Sequence, residues 1–154
     1  MGKKRSDPAW QKIRDALWIR SDGFCEVSGR SLDFETFDAH HRRLKGMGGT
    51  YREDTDLLGN LVALDPEVHN GAPWSVHQRP SWSRPRGYLI STSVEIAAEE
   101  PLLYRGKTWM ILDNEGTMGE LSARSQRHLW YTRIEQPQAL AAAAKEARPR
   151  SQYR

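Results

Sequence analysis

Asp38-Ala39-His40-His41-Arg42-Arg43, then Asn60-Leu61-Val62-Ala63-Leu64, then Pro66 and His69, form the stretch whose reading decides the fold of this 154-residue chain. Thr36 to His41 reads as a strand, although its alternation is imperfect, and Leu61 to Leu64 is a compact apolar run of strand length. Between them, Arg42 to Gly59 is polar and glycine-bearing, which predicts a long loop. Pro66 suits the first turn of a helix that carries His69; Gly71 and Pro73 interrupt that helix before Trp74 and His77, so it is broken or begins late. Strand, loop, strand and helix in this order predict an α+β fold.

The same stretch holds His40, His41, His69 and His77, four of the five histidines in the chain. Neighbouring strand side chains point to opposite faces, so His40 and His41 cannot both ligate one ion from regular strand geometry. Two roles follow: one imidazole binds a metal and the other faces substrate as a base. Phosphodiester hydrolysis calls for that pair, since a base deprotonates water while a cation neutralises the phosphorane and the leaving oxygen. Imidazole, with an ordinary pKa of about 6.5, is apt as the base.

Working outward, one domain with tails is the expectation for this length. A hydrophobic fraction of 38% and a mean hydropathy of -0.76 predict a compact core alongside long solvated segments. The balance of 23 Lys and Arg against 20 Asp and Glu is only modestly basic. Placement matters more: Lys3, Lys4 and Arg5 open the chain, Arg42, Arg43 and Lys45 follow the histidine pair, and Arg79, Arg84 and Arg86 follow His77. No run approaches the roughly 20 apolar residues that cross a bilayer, and the start leads to no secretory segment, which predicts a cytoplasmic protein without a membrane partner. Cys25 is the only cysteine, so any metal needs histidine and oxygen ligands.

Trp10, Ile13, Leu17 and Trp18 recur at helical spacing after Asp7, a candidate N-cap, and before Ser21-Asp22-Gly23, which predicts a helix over 8–20. Phe24 to Arg30 reads as a short strand and turn. Leu102 to Tyr104 and Thr108 to Leu112, with a turn at Asp113 to Gly116, form a candidate β-hairpin. Gln138 to Ala147 is alanine-rich with little amphipathic character and reads as a frayed, helix-prone or disordered tail. His128 lacks a companion and reads as structural or solvated. The expected divisions are a basic tail at 1–7, a main domain at 8–90 with its core at about 36–78, an extension with the hairpin at 91–135 and a tail at 136–154.

Asp38 to Arg43 with Gly46-Met47-Gly48-Gly49, then Asn60 to Leu64, then His69, resembles the signature of the HNH endonuclease family, and is especially similar to small phage-encoded members. The resemblance spans roughly 10–90, and it implies a ββα-metal core with an N-terminal helix and a C-terminal β-hairpin and helical extension. It implies that His40 is a metal ligand, His41 the general base and Asn60 the residue orienting the loop and base. His69 would be the second ligand and His77 a third, although Asn70 to Val76 is longer than the single helical turn usual there. It further implies one divalent ion, among Mg, Mn, Zn and Ni, and DNA as substrate, with Arg42, Arg43, Lys45, Arg79 and Arg84 against phosphates. A phage member would act in the host cytoplasm and assist genome packaging beside the terminase.

The chain departs from the family where many members carry two Cys-x-x-Cys pairs. Cys25, Ser28, Asp65 and Val68 stand there instead, a set that cannot build a tetrahedral zinc site, so no structural zinc is expected. Phe24, Val27, Trp10 and Trp18 are the candidates to replace it with apolar core. The departure also keeps open a DNA-binding accessory module that has lost catalysis and, more remotely, a protein-interaction adaptor using the hairpin.

Overall fold

A computed structural model describes residues 6–44 and 52–147. The chain is α+β, with two small antiparallel sheets and short helices, and it divides into two units, one ending at Leu121 and one beginning at Ser122. Among the described residues no helix is long and apolar enough to cross a membrane.

The first unit opens with α1 (Pro8–Ser21), one residue longer than 8–20. Asp7 caps it, its carboxylate accepting from Ala9 N at 2.8 Å, and Asp22 ends it in the left-handed conformation. Its inward face is only partly apolar. Leu17 is fully buried, but Arg14 and Arg20 are buried too, while Trp10 and Trp18 are half-buried. Phe24, another expected core residue, is 40% exposed; Val27 is buried as expected.

The central pair is β1 (Asp38–His41) with β2 (Leu61–Leu64), antiparallel, with His40 opposite Val62 and His41 opposite Leu61. β1 starts later than Thr36 because Thr36 N and Phe37 N are occupied in a turn that closes on Asp33 O. Phe24 to Arg30 is not a strand but a tight turn, closed by Cys25 N to Arg30 O and Gly29 N to Cys25 O, with an isolated bridge from Phe24 to Ser31. All of β2 is buried, and Glu26, itself buried, accepts from Ala63 N and pairs twice with the Arg20 guanidinium at 2.8 and 2.7 Å.

After β2 the expected helix is a single π-helical turn, Glu67–Gly71, with Asp65 Oδ1 accepting from Glu67 N. The chain then doubles back, and Val76 N to Val68 O at 2.8 Å and His77 N to His69 O at 3.2 Å close the loop. A short helix, α2 (Pro80–Ser83), follows. Beyond it the expected hairpin gains a partner: β3 (Leu102–Tyr104), β4 (Thr108–Leu112) and β5 (Met118–Glu120) form a three-stranded meander in the order β3-β4-β5. This meander belongs to the same compact unit as His40, His41, His69 and His77.

The second unit is helical. Ser122 caps α3 (Ala123–Trp130), which runs through a π-helical turn, Tyr131–Glu135, into α4 (Gln136–Glu146). The alanine-rich segment is thus helical as far as Glu146, and His128 is exposed on α3.

Candidate metal centre

His40, His69 and His77 converge although they come from a strand, a π-helical turn and the returning loop. Each offers one ring nitrogen, and these atoms lie within 4.8 Å of one another, close enough to bind a metal ion. Ring centroids are 4.8 to 5.1 Å apart. The eight-residue interval from His69 to His77 does not prevent convergence, because the two backbone bonds that close the loop set His77 directly beside His69.

Hydrogen bonds fix which nitrogens face inward. His40 Nε2 lies 2.7 Å from Tyr88 O, and a carbonyl only accepts, so the ring proton sits on Nε2 and the lone pair on Nδ1. That Nδ1 is buried and has no hydrogen-bond partner. His69 Nδ1 lies 2.9 Å from the Asp38 carboxylate, which places the proton there and turns Nε2 toward the cluster. His77 Nε2 lies 3.1 Å from His69 Nε2. Two imidazole ligands of a tetrahedral ion with bonds near 2.0–2.1 Å stand about 3.3 Å apart, so this spacing suits shared coordination. An orphaned buried lone pair and two nitrogens at ligand spacing fit a cation, and metal-binding histidines ordinarily donate their other nitrogen to a carbonyl or carboxylate as these do.

Burial strips water from His40 and, with the nearby His69, His77 and His41, outweighs the carbonyl bond and pushes its pKa down to about 3. Burial, then His69, lowers His77 in the same direction. Both rings are held neutral, the form that ligates. A ring that is harder to protonate folded than unfolded stabilises the fold above its unfolded pKa, and that contribution fades as pH falls from 6.5 toward about 3. The metal-free protein is therefore expected to lose stability from pH 6.5 downward by roughly 1.4 kcal/mol per pH unit for the proton that unfolding lets His40 bind. Urea midpoints flat between about pH 7 and 5, above the carboxylate range, would contradict this.

His41 points elsewhere. Its Nε2 bonds Asp56 Oδ1 at 2.8 Å, and its ring stacks on Trp10 at 6.1 Å between centroids and 12° between planes. Asn60 Oδ1 accepts from Arg43 N at 2.8 Å, and its Nδ2 donates to Arg43 O and Thr55 O at 3.2 and 2.9 Å, which ties the segment after His41 to the loop before β2.

The arginines beside the histidines are placed otherwise than expected. Arg42 is fully buried and donates to the carbonyls of Gly87, Gly59, Ala97, Glu100 and Pro101. Arg43, 3% exposed, donates to Val94 O and Glu95 O and pairs with Asp54. Neither reaches solvent, which overturns the expectation that they contact DNA. Lys45 and the glycines Gly46, Gly48 and Gly49 lie outside the described residues, as do Lys3, Lys4 and Arg5. Arg84 is exposed, and Arg79 is half-buried with its guanidinium 4.3 Å over the Trp82 ring.

Asp38 was given no role from the sequence, although a signal was there: it lies two residues from His40, on the same face of β1, where strand alternation lets it reach His69. Tyr88, contributing only a backbone carbonyl, and Asp56, in an irregular loop, left no signal in the pattern. At the positions where members of the resembled family carry cysteine pairs, Ser28 N donates to Cys25 Sγ at 3.4 Å, Val68 is buried, and Asp65 Oδ1 accepts from Glu67 N. No protein-family model, curated protein or solved structure matches the chain.

Proposed function

We propose that this protein is a metal-dependent DNA endonuclease of the HNH kind, with a ββα-metal core formed by β1, β2 and the His69 turn. The observation that carries the reading is the convergence of His40, His69 and His77 around the unpartnered Nδ1 of His40, next to a strand neighbour that looks away from the cluster.

His40 Nδ1, His69 Nε2 and His77 Nε2 would hold one divalent ion among Mg, Mn, Zn and Ni. Bound there, the ion supplies positive charge for the scissile phosphate and the departing 3′ oxygen. Tyr88 O and Asp38 keep two of the ligand rings turned inward. With Nε2 engaged by Asp56, His41 takes the proton of the attacking water on Nδ1 and acts as general base. Asn60 fixes the chain on both sides of that base. The exposed Arg84, with Arg79, contacts substrate phosphates, a role that Arg42 and Arg43 cannot fill. A phage-encoded nuclease of this kind would serve genome packaging beside the terminase.

Supercoiled plasmid incubated with the protein and each ion in turn is expected to become nicked or linear, and chelation is expected to stop the reaction. Binding of DNA without cleavage under every ion would favour the other reading, an accessory DNA-binding module that lacks catalysis.

A further inference from the structure

We propose that Asp56 is a positioning residue for His41, holding the ring so that Nδ1 alone is available to accept a proton. The inference rests on the nuclease reading of His41. An ionised carboxylate has no proton to give, so the hydrogen in the 2.8 Å contact with Asp56 belongs to His41 Nε2, and the neutral ring has one tautomer with its lone pair on Nδ1. The contact is sheltered: the Asp56 side chain is 11% exposed and that of His41 24%.

Two further features show that the pair is held by its surroundings. Trp10 of α1 lies nearly parallel to the imidazole in an offset stack, so the ring that the carboxylate holds also has an aromatic neighbour beside it. Asn60 grips the backbone at Thr55, the residue before Asp56, and at Arg43, two residues after His41. The Arg43 to Asp54 ion pair joins the same two segments. These ties join the two segments that carry His41 and Asp56 independently of the contact between their side chains. This also explains why an amide stands at position 60: the site needs an acceptor and a donor at once, to join two chains.

Metal-free, ¹⁵N-labelled protein at about pH 8, where imidazole is neutral, reports the tautomer through its two-bond ¹H–¹⁵N correlations. Wild type is expected to carry its His41 proton on Nε2, and Asp56→Ala to show a mixture of tautomers with an unchanged thermal midpoint. In plasmid cleavage, Asp56→Ala and Asp56→Asn are expected to lower kcat about 10²-fold with little change in KM, because an amide can donate to Nε2 and favour the wrong tautomer, and Asp56→Glu is expected to recover part of the rate. A proton on Nδ1 in wild type, or kcat within about threefold of wild type in Asp56→Ala, overturns the proposal. The spectra need no turnover: a wild type with the Nε2 tautomer that cuts no DNA removes the nuclease reading and leaves the ring geometry standing.

Discussion

His41→Ala is expected to slow metal-dependent DNA cleavage by about 10²- to 10⁴-fold, the usual contribution of a positioned general base, while leaving metal affinity close to that of wild type. The separation of effects follows from the strand. His40 and His41 are adjacent in β1, yet His40 faces His69 and His77 and is buried, whereas His41 faces Trp10 and Asp56 and is half-exposed. Removing the His41 ring opens no sealed core and touches none of the three converging nitrogens. Parallel measurement of plasmid cleavage and ion binding checks both halves. A variant that cuts at the wild-type rate, or one whose ion affinity collapses with its activity, contradicts the division of roles.

Arg42→Ala is expected to destabilise the protein by roughly 2–5 kcal/mol, the cost of unsatisfied buried carbonyls and a void, enough to unfold many domains of this size. The guanidinium is sealed from solvent and bonds carbonyls of five residues drawn from three separate segments: Gly59, Gly87, and the stretch that holds Ala97, Glu100 and Pro101. Truncation leaves buried acceptors unsatisfied as well as a void. Gly87 shows how closely the parts fit, since with φ at +76° a Cβ there would stand 2.0 Å from Pro101 O. Arg42→Lys is expected to recover little, because an ammonium cannot fork to several carbonyls at once. Urea unfolding gives the number; a shift below about 1 kcal/mol for Arg42→Ala would show that the carbonyls find other partners.

Arg42 also shows what a sequence conceals. A basic pair following two histidines reads equally as phosphate-binding charge or as internal cross-links, because composition does not say which way a side chain turns. Arg14, Arg20, Arg42 and Arg43 are all buried, and Arg14, Arg42 and Arg43 bond mainly backbone carbonyls. Part of the low mean hydropathy thus comes from cations inside the fold, not from long solvated segments. The strand pair was legible because alternation and a short apolar run are local signals; alternation also separated His40 from His41, while the choice of His40, His69 and His77 as ligands came from the resemblance to the HNH signature. The His69 turn was only half legible: Gly71 and Pro73 announced the break, but the backbone bonds that return His77 to His69 join residues eight apart and leave no periodic trace. The third strand, Met118–Glu120, is short and polar, which hides it from a search for apolar runs.

Titration of the metal-free protein with cobalt(II), followed by visible absorption and calorimetry, tests the convergence of the three imidazoles most directly. One ion per chain is expected, with the absorption of a low-coordinate site containing nitrogen ligands. Single His40→Ala, His69→Ala and His77→Ala variants are expected each to weaken binding at least about tenfold. Wild-type protein that takes up no cobalt, or all three variants binding it as tightly as wild type, would contradict a metal centre built from these histidines.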